Sequence, residues 1–450
     1  MDAVRCAQTV TRCVILIALL APVIPRPAAA QPAPPAPRRL AFAELATAVA
    51  QGNLQLRAAA FDVAVAQAQL AQARGAKQPQ VTATGSYTTG QQVPGTTTTI
   101  PNPFGPGTIT LTIPGPSPDQ ILLRLGVQYP LYTGGRLESQ IALAEANVRG
   151  AQAVFARTTQ QVLFSAQQAY LQALLARDNL IVAQRALEEA EESLRIAQAR
   201  LRAGVVAEFD TLQAEVAVTN AQQGIIRTRV GVRNADALLN ALLNQPLDAP
   251  MVLTDTLEPR PVSGTLASAT AAALRSRPEL AEFRARIDAL QASIALAASG
   301  GRPTVSVGAN YDVSGTPSSN AGAWSATLSV TLSLHDGGIT RERIREAEQK
   351  LAQLKVQETQ MRQRIELDVW QAWLTLEEAA GELVASSKAV EQAREAARIA
   401  SVRYQAGLST QLEVLSAQAS LAQADFGLAS ARFNQNVARI QLLLATGGSL

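Results

Sequence analysis

YPLYTGGRLESQI, from Tyr129 to Ile141, returns as LSLHDGGITRERI from Leu332 to Ile344, 203 positions further on. The same offset carries RLRAGVVAEFDTLQAE (Arg200 to Glu215) onto RYQAGLSTQLEVLSAQ (Arg403 to Gln418), with no gap in the long stretch between. Upstream the spacing changes. Leu56 pairs with Leu280, Pro79 with Pro303 and Tyr87 with Tyr311, all 224 apart, so the first copy holds 21 extra residues between Tyr87 and Tyr129. A repeat this long is one architectural unit used twice.

Within each copy the pattern is mostly helical. Leu137 to Ala203 contains no proline and only Gly150, and as one helix it would reach roughly 100 Å at about 1.5 Å per residue. Ile141, Val148, Phe155, Val162 and Ala169 recur every seven residues; the phase then slips by four to Ala173, Leu180, Leu187, Leu194 and Leu201. A heptad with one stutter predicts a supercoiled helix with a local change of winding. Ala183, Ala190 and Ala197 fill the intermediate positions, so a neighbouring helix can approach closely. Ile339 to Ala406 repeats the pattern, with Leu383, Val390, Ala397 and Tyr404 in phase.

Four segments alternate with period two, around Val81–Tyr87, Ile121–Leu131, Val305–Val313 and Trp324–Leu334, each with one apolar and one polar face. The expected strands are 80–90, 120–132, 303–313 and 324–335. Each has about the length of a tilted strand crossing a bilayer. A half-buried soluble sheet shows the same alternation. Four strands cannot close a barrel, and an open edge is not tolerated in lipid, so a membrane reading requires several chains to share one barrel. Trimerisation would give twelve strands and a lumen wide enough for water. Residues 90–118, rich in Thr, Pro and Gly, and 314–323 read as loops.

Composition sets the compartment. Arg5 and Arg12, the apolar run Val14 to Ile24 and Ala28-Ala29-Ala30 predict a secretory signal peptide over 1–30, cut after Ala30. The apolar run is shorter than the ~20 residues a spanning helix needs. Residues 31–39, QPAPPAPRR, read as an extended linker. Cys6 and Cys13 both lie in the signal, so the exported chain has no thiol or disulfide chemistry, and removing Asp2, Arg5, Arg12 and Arg26 brings the net charge from +3 to +1. Arg and Glu are interspersed along helices, which does not indicate a nucleic-acid partner. The single histidine, His335, cannot build a metal cluster or a catalytic pair by itself, and it aligns with Tyr132 at a strand boundary. Glu188-Glu189 and Glu377-Glu378 read as solvated helix faces. No enzyme or nucleotide-binding signature is present: Gly134-Gly135 and Gly337-Gly338 have no phosphate-loop context, and instead supply the backbone freedom that turns a strand into a helix.

The order of helix, strand, loop, strand, Gly-Gly turn, very long helix, Gly turn and return helix resembles the TolC-like outer-membrane efflux family. The residues that carry the resemblance are Pro-Leu-Tyr-Thr-Gly-Gly-Arg (130 to 136), Leu-His-Asp-Gly-Gly (334 to 338), Arg-Pro-Glu-Leu (277 to 280) and the two Gly-centred tip motifs. The resemblance runs from Leu40 to Thr446, with a first repeat over 40–245, an equatorial linker over 246–263, a second repeat over 264–446 and a tail at 447–450. It implies a mainly helical fold with a small β part: a homotrimer with a twelve-stranded transmembrane barrel and a twelve-helix periplasmic tunnel. It also implies a passive exit duct in the bacterial outer membrane, serving a tripartite efflux pump or a type I secretion system and using no cofactor. Its partners would be outer-membrane lipid, a periplasmic adaptor and an inner-membrane pump of RND, ABC or MFS type. A periplasmic adaptor, or a coiled-coil scaffold of an export complex, is the competing function.

By the same resemblance Arg200, Gly204, Arg403 and Gly407 form the helix-tip turns and adaptor contact. Glu413 and Ser416 stand where the family lines its constriction, often with two acids. Asp210 and Tyr404 match a pair that links neighbouring coiled coils when the channel is closed, while Ser409 replaces the basic residue that often strengthens that lock. Asp210 also reads as a helix-start acid favoured by the helix dipole.

Overall fold

The computed structural model describes residues 38–91, 94–113, 115, 119–259, 262, 264–316 and 319–448. The expected signal peptide and residues 31–37 of the expected linker lie outside the described residues. The chain opens with β1 (Arg38–Leu40), α1 (Leu45–Gly52) and α2 (Leu54–Gly75), then β2 (Gln80–Thr88), β3 (Thr96–Pro101), β4 (Thr108–Ile113) and β5 (Gln120–Tyr132). The first hairpin of helices, α3 (Arg136–Arg202) and α4 (Glu208–Leu242), is followed by β6 (Met251–Leu253). The second copy comprises α5 (Leu266–Ser276), α6 (Pro278–Ala298), β7 (Thr304–Thr316), β8 (Ser319–Thr331), α7 (Ile339–Gln405) and α8 (Gln411–Ala445). α3 and α7 are each 67 residues long, and α4 and α8 are each 35.

β2, β5, β7 and β8 form one antiparallel sheet in that order. Its register aligns whole rows by face. Ala83, Leu125, Tyr311 and Trp324 lie side by side, as do Val81, Val127, Ala309 and Ala326. The alternate rows carry Thr84, Arg124 and Asp312, and Thr82, Gly126, Asn310 and Ser325. Arg124 and Asp312 form an ion pair at 2.6 Å on the polar face. One face is apolar with aromatic rings and the other polar, which suits lipid outside and water inside.

The sheet departs from the expected strand limits. β7 and β8 stay paired to Thr316 and Ser319, so most of the expected 314–323 loop is strand. β8 stops at Thr331, which leaves Leu332, Leu334 and His335 in the connection. Their counterparts Tyr129 and Tyr132 pair with β7, whereas 332–335 adjoin the outer edge of the sheet. Nor is 90–118 a plain loop: the Thr/Ile runs pair as a β3–β4 hairpin from Thr96↔Ile113 to Pro101↔Thr108.

At each strand-to-helix corner a Gly-Gly pair takes left-handed backbone, with φ of 63° and 88° at Gly134 and Gly135 and of 66° and 86° at Gly337 and Gly338. A side chain there would be strained. Helix starts follow at once. Leu137 N–H is held by Thr133 Oγ1 at 3.2 Å, and Thr340 N–H by the equivalent Asp336 carboxylate at 2.8 Å.

Along the shaft the smallest side chains are the deepest. Ala183, Ala190 and Ala197 are buried, while Leu180, Leu187, Leu194 and Leu201 sit half-buried at the flanks. The alanines therefore set the seam and the leucines flank it. Midway, a belt ties both copies together. Residues 38–39 of the expected linker are strand, since β1 runs parallel to β6. The Tyr170 hydroxyl, fully buried, donates to Asp255 Oδ2 at 2.7 Å and lies 3.0 Å from the Leu40 carbonyl; Phe42 N–H also donates to Asp255 Oδ2 at 2.7 Å. Burial first, then the Asp255 contact, pushes the Tyr170 phenol well above its ordinary range. Among the described residues no helix is long and apolar enough to cross a membrane.

Candidate functional site

Far from the sheet, both helix pairs turn through matching loops. Gly204 (φ 70°) and Gly407 (φ 75°) occupy left-handed backbone. Val205 N–H reaches the Arg200 carbonyl at 3.1 Å and Gly204 N–H the Leu201 carbonyl at 2.9 Å; Leu408 to Arg403 at 2.8 Å and Gly407 to Tyr404 at 2.9 Å repeat them. These are two Schellman caps, which satisfy the last carbonyls of α3 and α7. The restarts differ. α8 begins behind Thr410, whose hydroxyl accepts from Glu413 N–H at 3.4 Å, whereas α4 begins behind Ala207 with no side-chain cap.

Glu413 and Ser416, three residues apart on one face of α8, are both exposed in the single chain. Asp210 is half-buried in the first turn of α4, where an acid is stabilised by the helix dipole. Tyr404 is 3% exposed and its hydroxyl, although buried, has no hydrogen-bond partner among the described residues. Burial raises the Tyr404 phenol pKa, the Arg200 guanidinium opposes it, chiefly by charge, and Asp210 acts on the phenol only through its charge, which raises it. The expected Asp210–Tyr404 pair is thus near in charge but not hydrogen-bonded within the chain. Ser409 does not reach across either: its hydroxyl lies 3.4 Å from the Ala400 carbonyl of its own hairpin.

The sequence did not expose three features. Arg200 crosses from the first hairpin to the second, with its guanidinium 4.4 Å from the Tyr404 ring centroid and Nη1 donating to the Tyr404 carbonyl. Ser193 and Gln418 join α3 to α8 through hydrogen bonds of 2.9 and 3.1 Å. Gln411, 1% exposed, and Thr211 carry buried polar atoms without a hydrogen-bond partner among the described residues. The residue types gave no signal, because what surrounds each side chain is brought there by another element. Above the tip, Glu189 departs from a solvated face. It is half-buried, and burial, then Asp425, raises its carboxyl pKa. Among the described residues no group of three or more His, Cys, Asp or Glu side chains is placed to hold a metal ion.

A bilayer-length sheet with one apolar face, continued by a shaft of paired helices about 100 Å long, defines a channel-forming membrane protein with a long extramembrane tube. The family model of the outer membrane efflux protein matches residues 45–245 and 270–448. The chain belongs to that family. It is similar to the outer membrane efflux protein BepC of Brucella suis biovar 1, at 25% identity over 321 residues covering 70% of each chain. It is also similar to the pyoverdine export outer membrane protein OpmQ of Pseudomonas putida, at 28% identity over 302 residues, 65% of this chain and 63% of that one. The crystal structure of CusC shares the fold, with a TM-score of 0.72 at 21% identity over 96% of this chain and 98% of the other. The protein is therefore an outer-membrane exit duct that extends into the periplasm, and the adaptor and scaffold alternatives fall away. Proteins of this family are trimers that work with periplasmic adaptors and inner-membrane pumps.

Proposed function

We propose that three copies of this chain close into a passive tunnel for a tripartite pump or a type I secretion system, exported behind the 1–30 signal. The observation that carries this is an imbalance between the repeats. Ala153 and Leu171 of α3 are buried, but their counterparts Val356 and Leu374 of α7 are exposed; Ala285 of α6 and Ala429 of α8 are buried, but their counterparts Phe61 and Ile226 are exposed. Likewise a side chain on Gly134 would meet Arg302 Cβ at 2.7 Å, while one on Gly337 would meet nothing within 4 Å. The first repeat packs on the second within the chain, so the second repeat's open side matches the first repeat's open side in another copy. Such head-to-tail contacts close a ring, and three chains supply the twelve strands a water-filled barrel requires.

Within this ring Glu413 and Ser416 narrow the periplasmic mouth, Asp210 and Tyr404 belong to the gate, and the tip turns at Arg200–Gly204 and Arg403–Gly407 receive the adaptor. Energy comes from an inner-membrane pump of RND, ABC or MFS type, and the duct itself catalyses nothing. Engineered disulfides test the ring. An added Gly150 Cβ would lie 3.8 Å from Ala285 Cβ, within disulfide range, and the equivalent pair between copies is Gln353 and Phe61. The double variant Phe61→Cys, Gln353→Cys should give a covalent trimer on non-reducing gels, and each single variant none. Monomers alone, together with a monomer mass in detergent, would refute the ring.

A further inference from the structure

We propose that Arg200 is a positioning residue that binds the two helix tips of one protomer into a single moving body, through the face and main-chain carbonyl of Tyr404. The inference rests on the gate reading above. The guanidinium lies 4.4 Å from the ring centroid and donates to the carbonyl, and a cation over a largely desolvated ring is held more firmly than one in water. The carbonyl also closes the α7 C-terminus, where positive charge is favoured.

The repeat makes the tie one-sided. Arg403, the counterpart of Arg200, stays on its own turn with Nη2 3.4 Å from the Leu408 carbonyl. The counterpart of Tyr404 is Leu201, which offers no ring. The second link behaves alike: Ser193 and Gln418 hydrogen-bond across α3 and α8, but their counterparts are Ala396 and Glu215, and an alanine side chain cannot bond. Both ties therefore act inside a protomer and have no equivalent between protomers. In the ring the weak seams are those between chains, and the tips part there, protomer from protomer.

Single-channel recording of the purified trimer tests this. Arg200→Gln and Tyr404→Leu should each raise the open population about two- to thirtyfold. Arg200→Gln should add less in the Tyr404→Leu background than it does alone, because only the carbonyl bond is then left to lose. Trimer yield should not change. Cysteines at Ser193 and Gln418, bridged by a short bifunctional thiosulfonate, should return the Arg200→Gln channel to wild-type behaviour. The proposal is overturned if Arg200→Gln has no effect, if its effect in the Tyr404→Leu background is as large as alone, or if bridging does not restore it. Block by a trivalent cation, lost in Glu413→Ala, reports the gate separately, so a silent Arg200 with intact block sinks the tie alone.

Discussion

Thr410 and Ala207 hold the same place in the two repeats, yet only Thr410 offers an oxygen to the helix that follows. Its bond to Glu413 N–H is long at 3.4 Å, so Thr410→Ala should cost about 0.5 kcal/mol, the low end for a cap, read as a small shift in the denaturation midpoint. Glu413 carries a larger expectation. Three copies around a narrow axis would concentrate negative potential in a confined mouth, so the channel should favour cations and be plugged by a trivalent cation from the periplasmic side. Glu413→Ala should weaken both effects at unchanged trimer yield, and block that survives the substitution would place the acidic ring elsewhere. Asp210→Ala should raise conductance if its charge helps to hold the tip; no change would leave it an ordinary helix-start acid. At this scale the glycines were legible from sequence, because a positive φ leaves little choice of residue. The partners of Arg200, Ser193 and Gln418 were not. They are chosen by which helices happen to be neighbours, a property of the tertiary fold that one-dimensional spacing does not contain.

The long helices were also legible, as a heptad with a stutter in a run without proline. Their seam was only half read. Hydropathy favoured the leucines, but close approach of helix axes buries the alanines and pushes leucine side chains to the flank. The strands were legible by alternation, while their ends were misplaced where serine, asparagine and glycine between 314 and 323 resemble a turn yet pair in register. Burial within the shaft has a measurable consequence. Asp178 and Glu189 have pKa values raised chiefly by burial. A carboxyl group raised in the folded state adds stability below its unfolded pKa, ordinarily 3.8 and 4.5, and loses it as pH rises through the folded value. Acidification from neutral pH towards that window should therefore raise the contribution of these two groups. Asp178→Asn with Glu189→Gln should stabilise the protein at neutral pH and flatten that part of the Tm profile. A double variant that loses stability at pH 7 would show that the nearby arginines outweigh burial.

For the whole molecule, the sheet gives the sharpest expectation. Leu125 and Leu328 lie on its apolar face; replacing either by Arg should cost about 2–4 kcal/mol near mid-bilayer, measured as lost insertion into vesicles. Unchanged insertion of both variants would reverse the assigned faces. The purified trimer should hydrolyse no ATP, and turnover that tracks with it through purification would contradict a passive duct. The repeat, with its twofold use of one plan, was the feature of the sequence that reached this scale. What it left open was which positions are covered by a second copy, since an exposed Phe61 and a buried Ala285 differ only in context. The equal lengths of the paired helices, 67 with 67 and 35 with 35, also constrain how such a chain can change. Removing one residue from α3 alone would lift its turn by about 1.5 Å and swing every following side chain by about 100°, so alternate legs of a six-legged stand would no longer touch the ground together. Length can vary freely only where nothing must stay level, and the 21 residues gained by one copy sit in the segment that carries the β3–β4 hairpin. A peptide tag grafted between Phe104 and Gly105 should accordingly be read by antibody on intact cells without disturbing the mouth at the other end.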